Sequence, residues 1–161
     1  YQATSGAGVE GPIELRNQMD AIINDKEITN KVFPYQICEN VIPQIGSFLD
    51  NGYTKEEMKM QNEGRKIMHL PELLVTCTCV RVPVVRSHSI SLTVITEDKL
   101  SLSDINNAIA HEKGVKLYDD PSNLIYPMPL VTSNQDLVYV GRVRKDLFFI
   151  LLNLYSNGRI I

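Results

Sequence analysis

Five side chains in this sequence have the chemistry to bind and turn over a small charged molecule: Gln2, Glu56, Lys59, Arg81 and His88. Arginine offers a planar guanidinium of fixed charge whose parallel N–H groups match a carboxylate, while lysine offers a compact cation suited to phosphate. Glutamate can hold an ammonium, glutamine can orient a polar group, and histidine exchanges a proton near neutral pH. Each also has a plainer reading. Glu56 and Lys59 suit a solvated ion pair, Arg81 a surface arginine at a strand end, and His88 a core histidine with a satisfied ring.

The elements that must position them are legible in the pattern around them. Thr54 followed by Glu57 is a capping box that opens a helix over about residues 54–69, and Pro71 stops it. Glu56, Lys59 and Glu63 share one face of that helix, which is either solvated surface or a ligand site. Residues 73–82 are rich in β-formers. Residues 87–96 alternate, with His88, Ile90, Leu92 and Val94 on an apolar face and Ser87, Ser89, Ser91 and Thr93 on the other, which predicts a half-buried strand. Arg81 and His88 would point to opposite faces of one continuous strand, but Pro83 between them demands a bend near 83–86 and removes that objection.

Elsewhere, Gly11-Pro12 predicts a helix over about 12–25, and the apolar stretch 32–45, broken by Pro34 and Pro43, is expected to cross the core as extended chain. Ser103 is read as the cap of a short helix that Gly114 ends, with strands at about 115–118 and 137–144. Residues 148–154 form the most apolar run. Helices and strands mix without a strict βαβ repeat. The expected class is α+β: a mixed, largely antiparallel sheet with helices packed on one face, in a single domain over residues 1–161.

Composition narrows the function. With 161 residues, 43% of them hydrophobic, the chain can build a core, and its net charge of -3 from well-mixed charges gives no footprint for nucleic acid or an anionic membrane. No apolar run approaches the roughly 20 residues that span a bilayer, so the protein reads as cytoplasmic. Cys38, Cys77 and Cys79 read as reduced core thiols. The C-x-C pair lacks a second ligand pair, so no metal site is expected. His69 and His111 read as surface. The start at Tyr1 and the Gly-rich opening read as those of an excised piece.

Several motifs carry a resemblance in order and spacing: residues 1–8 (YQATSGAG), 40–46 (NVIPQIG), 52–57 (GYTKEE), and 79–84 (CVRVPV) with His88-Ser89, then 126–129 (YPMP) and 140–144 (VGRVR). Together they resemble the aspartate-semialdehyde dehydrogenase family over about nine tenths of the chain. The resemblance implies the second, catalytic and dimerisation domain of glyceraldehyde-3-phosphate dehydrogenase-like enzymes, and a homodimer. It implies reductive dephosphorylation of aspartyl phosphate to aspartate semialdehyde by NADPH through a cysteine thioester, in the biosynthesis of lysine, threonine and methionine.

Position by position, His88 matches the acid/base, Arg81 the binder of the substrate carboxylate, and Glu56 the binder of its ammonium. Lys59 matches the phosphate-binding lysine and Gln2 the orienting glutamine. Ser5, Gly6 and Ala7 match a segment lying against the nicotinamide end of NADP. The family's nucleophile lies ahead of the position of Gln2, in a segment this chain does not contain, and the dinucleotide-binding domain is likewise expected to be absent. The isolated chain is therefore expected to be inactive. After Asp146 the sequence departs from the family's closing helix. Two other readings stay open: a self-standing homodimeric module that only holds a small anion, and a domain of a sister acyl-phosphate reductase.

Overall fold

The computed structural model describes residues 1–146 and 151–158. The chain forms two compact units, Tyr1–Val85 and Arg86–Ile161.

The first unit consists of two helices and long irregular segments that the helices hold in place. Helix α1 (Glu10–Ile23) starts two residues ahead of the expected position, with Pro12 inside its first turn. Every amide of that turn lacks an intrahelical partner, so proline marks the turn and not its first residue. Gly11 has no room for a side chain, because a Cβ would run into the carbonyl of Thr4. The inner face of α1 places Leu15 in a core with Phe33, Ile37, Cys38 and Ile42.

The stretch after α1 is not helical, as its two prolines predict, but it runs as bends and turns rather than the expected extended chain, and its backbone must still be satisfied. Two buried polar side chains of α1 do this. Glu14 accepts hydrogen bonds from the amides of Lys31 (2.7 Å), Val32 (2.6 Å) and Phe33 (3.1 Å). One turn on, Gln18 accepts from the amides of Ile37 (2.9 Å) and Cys38 (3.0 Å) and donates to Thr29 O and Asn30 Oδ1.

Helix α2 (Lys55–Ile67) carries the predicted capping box, with Thr54 N donating to Glu57 Oε2 at 2.7 Å and Glu57 N to Thr54 Oγ1 at 3.3 Å. The β-rich stretch 73–82 departs from expectation. It is extended but joins no ladder, only isolated bridges at Arg81. Side chains of α2 take the place of a neighbouring strand. Gln61 accepts from Val75 N, Arg65 donates to Leu73 O, and Glu57 accepts from Cys79 N at 2.8 Å. The bend at Pro83 is present: Val84 N bonds back to Val82 O at 2.8 Å in a three-residue turn.

The second unit is α+β. Strands β1 (His88–Ile95), β2 (Val115–Leu117), β3 (Val138–Lys145) and β4 (Leu151–Gly158) form one small sheet in the order β1-β4-β3-β2. β1 and β3 each pair antiparallel with β4, and β2 pairs parallel with β3. Of the apolar run 148–154, residues 148–150 lie outside the described residues and the rest opens β4. Helix α3 (Leu102–His111) is capped by Ser101 rather than Ser103: Asp104 N donates to Ser101 Oγ, which in turn donates to the Asp104 carboxylate. A short helix α4 (Pro129–Thr132) follows a proline-rich loop.

The alternation of β1 is corrected at its start. Ser87 and Ser89 are buried, whereas Leu92 is 39% exposed. A hydroxyl can be buried when it is bonded, and Ser87 Oγ lies 2.7 Å from the hydroxyl of the buried Thr132.

Replacing Glu14 by leucine leaves three amides without an acceptor and is expected to destabilise the chain by about 3 kcal/mol or more. Asp20→Ala removes an exposed ion pair with Lys26 and an exposed hydrogen bond from Asn24, and its cost should stay near or below about 1 kcal/mol. Urea unfolding curves of the two variants compare these costs directly. Equal midpoints would show that Glu14 does not hold the irregular segment.

Candidate functional site

Four of the five chemically promising residues meet in the first unit. The main chain of Arg81 is held on both edges. Ile42 exchanges two hydrogen bonds with it, and Gln2 forms a parallel bridge opposite it through bonds to Val80 and Val82. Gln2 is thereby fixed beside Arg81, although the two are far apart in sequence.

The Arg81 side chain is 7% exposed. One terminal nitrogen donates to Ala3 O at 2.6 Å, and the guanidinium carbon lies 5.7 Å from the centre of the Phe33 ring, in the range of a cation–π contact. Burial pushes the pKa of Arg81 down and the charge of Glu56 opposes that shift. A guanidinium keeps its proton through such a change, so the site holds a fixed cation with little water around it.

Glu56 joins the other groups. Gln2 Nε2 donates to Glu56 Oε1 at 3.1 Å, and Lys59 Nζ to Glu56 Oε2 at 3.3 Å. Partial burial pushes the Glu56 carboxyl up. The Gln2 amide, the Lys59 ammonium and the Arg81 charge together outweigh it and leave the pKa below the usual value. Glu56 is therefore a carboxylate at neutral pH, flanked by two cations. The Lys59–Glu56 contact is half exposed and adds little to stability, which leaves Lys59 free to change partners.

Ser5, Gly6 and Ala7 lie in a 3-10 turn, Thr4–Ala7, directly after Gln2. The amides of Thr4 and Ser5 donate to Val84 O and Val85 O, and Gly6 N to Ala3 O, so the turn is tied to the strand-like chain that carries Arg81. His88 opens β1 in the second unit, half-buried and in register with Gly158.

Two contributors were not picked out from sequence. Phe33 lies under the Arg81 guanidinium, and nothing in the apolar run around it signals that contact. Glu57 had a legible role as the N3 residue of the capping box. Its second oxygen also takes the amide of Cys79 and so locks α2 to the segment ending in Arg81. The three thiols are not poised as nucleophiles: burial raises Cys38 and Cys77 and pushes Cys79 up to about 12.

A family model described as "Semialdehyde dehydrogenase, dimerisation domain" matches residues 1–156. The chain is 50% identical over 155 residues to the aspartate-semialdehyde dehydrogenase of Bacillus subtilis, an alignment covering 91% of this chain and 45% of that protein. The Campylobacter jejuni enzyme is 47% identical over 150 residues, covering 92% of this chain and 43% of that protein. Among solved structures, aspartate semialdehyde dehydrogenase II from Vibrio cholerae superposes with a TM-score of 0.93 at 37% identity, over 98% of this chain and 47% of that one. The same Vibrio enzyme in complex with ASA gives a TM-score of 0.94. The chain belongs to the semialdehyde dehydrogenase dimerisation-domain family, and it spans less than half the length of these relatives.

The Glu57 carboxyl is held below its ordinary value of 4.5, chiefly by the hydrogen bond from Thr54 N. Burial opposes this, and the Cys79 amide and Thr54 hydroxyl add to the lowering. A depressed carboxylate contributes its stability above the unfolded pKa and loses it as pH falls through the lower folded value. Between pH 5 and pH 3 the native chain should therefore lose more stability than Glu57→Gln does, as read by thermal melts at each pH. Parallel acid profiles would assign the acid sensitivity to other groups.

Proposed function

We propose that this chain is the substrate-binding and dimerisation part of an aspartate-semialdehyde dehydrogenase, a cytoplasmic enzyme of lysine, threonine and methionine biosynthesis that reductively dephosphorylates aspartyl phosphate with NADPH. Both units together serve as one catalytic/dimerisation domain, since the family model runs across them. The sheet is read as the mixed, largely antiparallel layer of that domain, with its helices on one face.

The observation that carries the reading is the charge pattern of the first unit: a buried arginine, a carboxylate that Lys59 and Gln2 hydrogen-bond and that feels the arginine's charge, and an amide locked beside them. Aspartyl phosphate carries complementary groups. Its α-carboxylate pairs with the Arg81 guanidinium, its ammonium with Glu56, and its phosphate with Lys59 once that side chain leaves Glu56. Gln2 steers the acyl end, and His88 gives and takes a proton in the reaction. The substrate brings both an anion and a cation, and so can replace the contacts among the site residues themselves.

NADP would lie against residues 5–7. The small side chains and exposed Gly6 leave that turn approachable by a flat ring, and the turn is rigidly tied to the segment bearing Arg81. When bound, the cofactor supplies or takes up hydride. The nucleophile comes from elsewhere in the enzyme, as the family resemblance implies, and burial raises the pKa of all three thiols of this chain. The active assembly is a homodimer.

The chain alone should not reduce NADP with aspartate semialdehyde and phosphate. Mixed with a separately produced cofactor-binding part of a relative that carries the active-site cysteine, it should restore turnover. Arg81→Lys should then lower kcat/KM by about 100-fold or more, since lysine cannot make two parallel bonds to a carboxylate. His88→Ala should abolish the proton-transfer step. Phosphate binding without complementation would instead favour a module that only holds an anion.

A further inference from the structure

The Arg81 guanidinium is held by fewer polar contacts than its burial demands. It is almost removed from solvent, yet only one terminal nitrogen bonds to the protein, at Ala3 O, and among the described residues no carboxylate forms an ion pair with it. Its other N–H groups have no acceptor among the described residues. A single hydrogen bond fixes one nitrogen and leaves the guanidinium plane free to swing about that bond. A flat contact is needed to stop the swing. Phe33 provides it, with the guanidinium carbon over its ring.

Phe33 is itself held at both ends. Its amide donates to the Glu14 carboxylate, and its buried ring packs with Leu15, Ile37, Cys38 and Ile42. Ile42, in the same core, exchanges two main-chain bonds with Arg81. The ring and the arginine's main chain are therefore referenced to one core, and α1 reaches the guanidinium through Glu14 and Leu15 without supplying a ligand-binding group. The plane matters because a carboxylate accepts two parallel N–H bonds only when it lies nearly in the plane of the guanidinium.

We propose that Phe33 is a positioning residue for carboxylate binding: its ring fixes the plane in which Arg81 presents its unused N–H groups. The inference rests on the reading of Arg81 as the binder of the substrate carboxylate and deepens it. A guanidinium oriented beforehand loses little freedom when the ligand arrives, so the effect falls on affinity for the carboxylate.

NMR titration of the 161-residue chain with L-aspartate, which carries both the α-carboxylate and the ammonium, tests this. Phe33→Leu keeps an apolar side chain and should weaken binding by about 10-fold. In an Arg81→Lys background the same change should cost nothing further, because an ammonium has no plane to fix. A merely structural role would weaken both backgrounds alike. Where melts show that Phe33→Leu disturbs the fold, a trifluorinated phenylalanine at the same position keeps the ring's shape and drains its negative face, and it too should weaken binding with Arg81 in place. Undiminished affinity in the variant rings, or equal losses in both backgrounds, overturns the role of Phe33 and leaves that of Arg81 standing. A native chain that binds L-aspartate no more tightly than Arg81→Lys overturns the reading of Arg81 and this inference with it.

Discussion

Main-chain polar groups that leave water need partners, and much of the first unit is irregular chain with no neighbouring strand to supply them. Helical side chains fill that need. Glu14 and Gln18 on α1 take up five amides between residues 31 and 38, while Glu57 and Gln61 on α2 take those of Cys79 and Val75. Remove those acceptors and the segments carrying Phe33, Ile42 and Arg81 lose their definition, and the small core with Leu15 at its centre loses most of its members.

The site inherits its geometry from this arrangement. Arg81 is fixed through its main chain before its side chain does anything, since Ile42 and Gln2 flank it. Its guanidinium then rests on Phe33 and the Ala3 carbonyl. Glu56 is the neighbour of Glu57, which is bonded to the helix start and to Cys79 at once, so the Glu56 carboxylate extends from an anchored turn. A buried cation and a carboxylate of depressed pKa form a group whose charges are set in advance, as the proposed binding of a small zwitterion requires.

Legibility from sequence followed the range of the interactions. Local signals were readable: the Thr54–Glu57 capping box, the helix on each side of residue 40, the bend at Pro83 and the strand starting at His88. The grouping of Glu56 with Lys59 followed from helical spacing, and motif resemblance supplied Gln2 and Arg81. Long-range contacts left no local trace. Residues 73–82 look like a strand because β-formers alternate there, yet its bonding partners are side chains of α2, which no periodicity reports. Phe33 under Arg81 and Ser101 ahead of α3 were missed for related reasons, the first a tertiary contact and the second a choice between two nearby serines that only geometry resolves.

The pairing of side chains with irregular backbone has a consequence for how such a chain can drift in sequence. A carboxylate that grips an amide does not sense the side chain beyond it, so exposed positions of the gripped stretch, such as Lys31 and Tyr35, are free to change residue while the path is kept, whereas Phe33, Ile37 and Cys38 are also held by the core. The constraint sits on the helices instead. A glutamate or glutamine at the wrong turn of α1 or α2 would redirect ten residues of loop at once. The usual expectation of conservative helices serving as inert supports for informative loops is thereby inverted: in the first unit the specification of loop shape is written on the helices' inward polar faces.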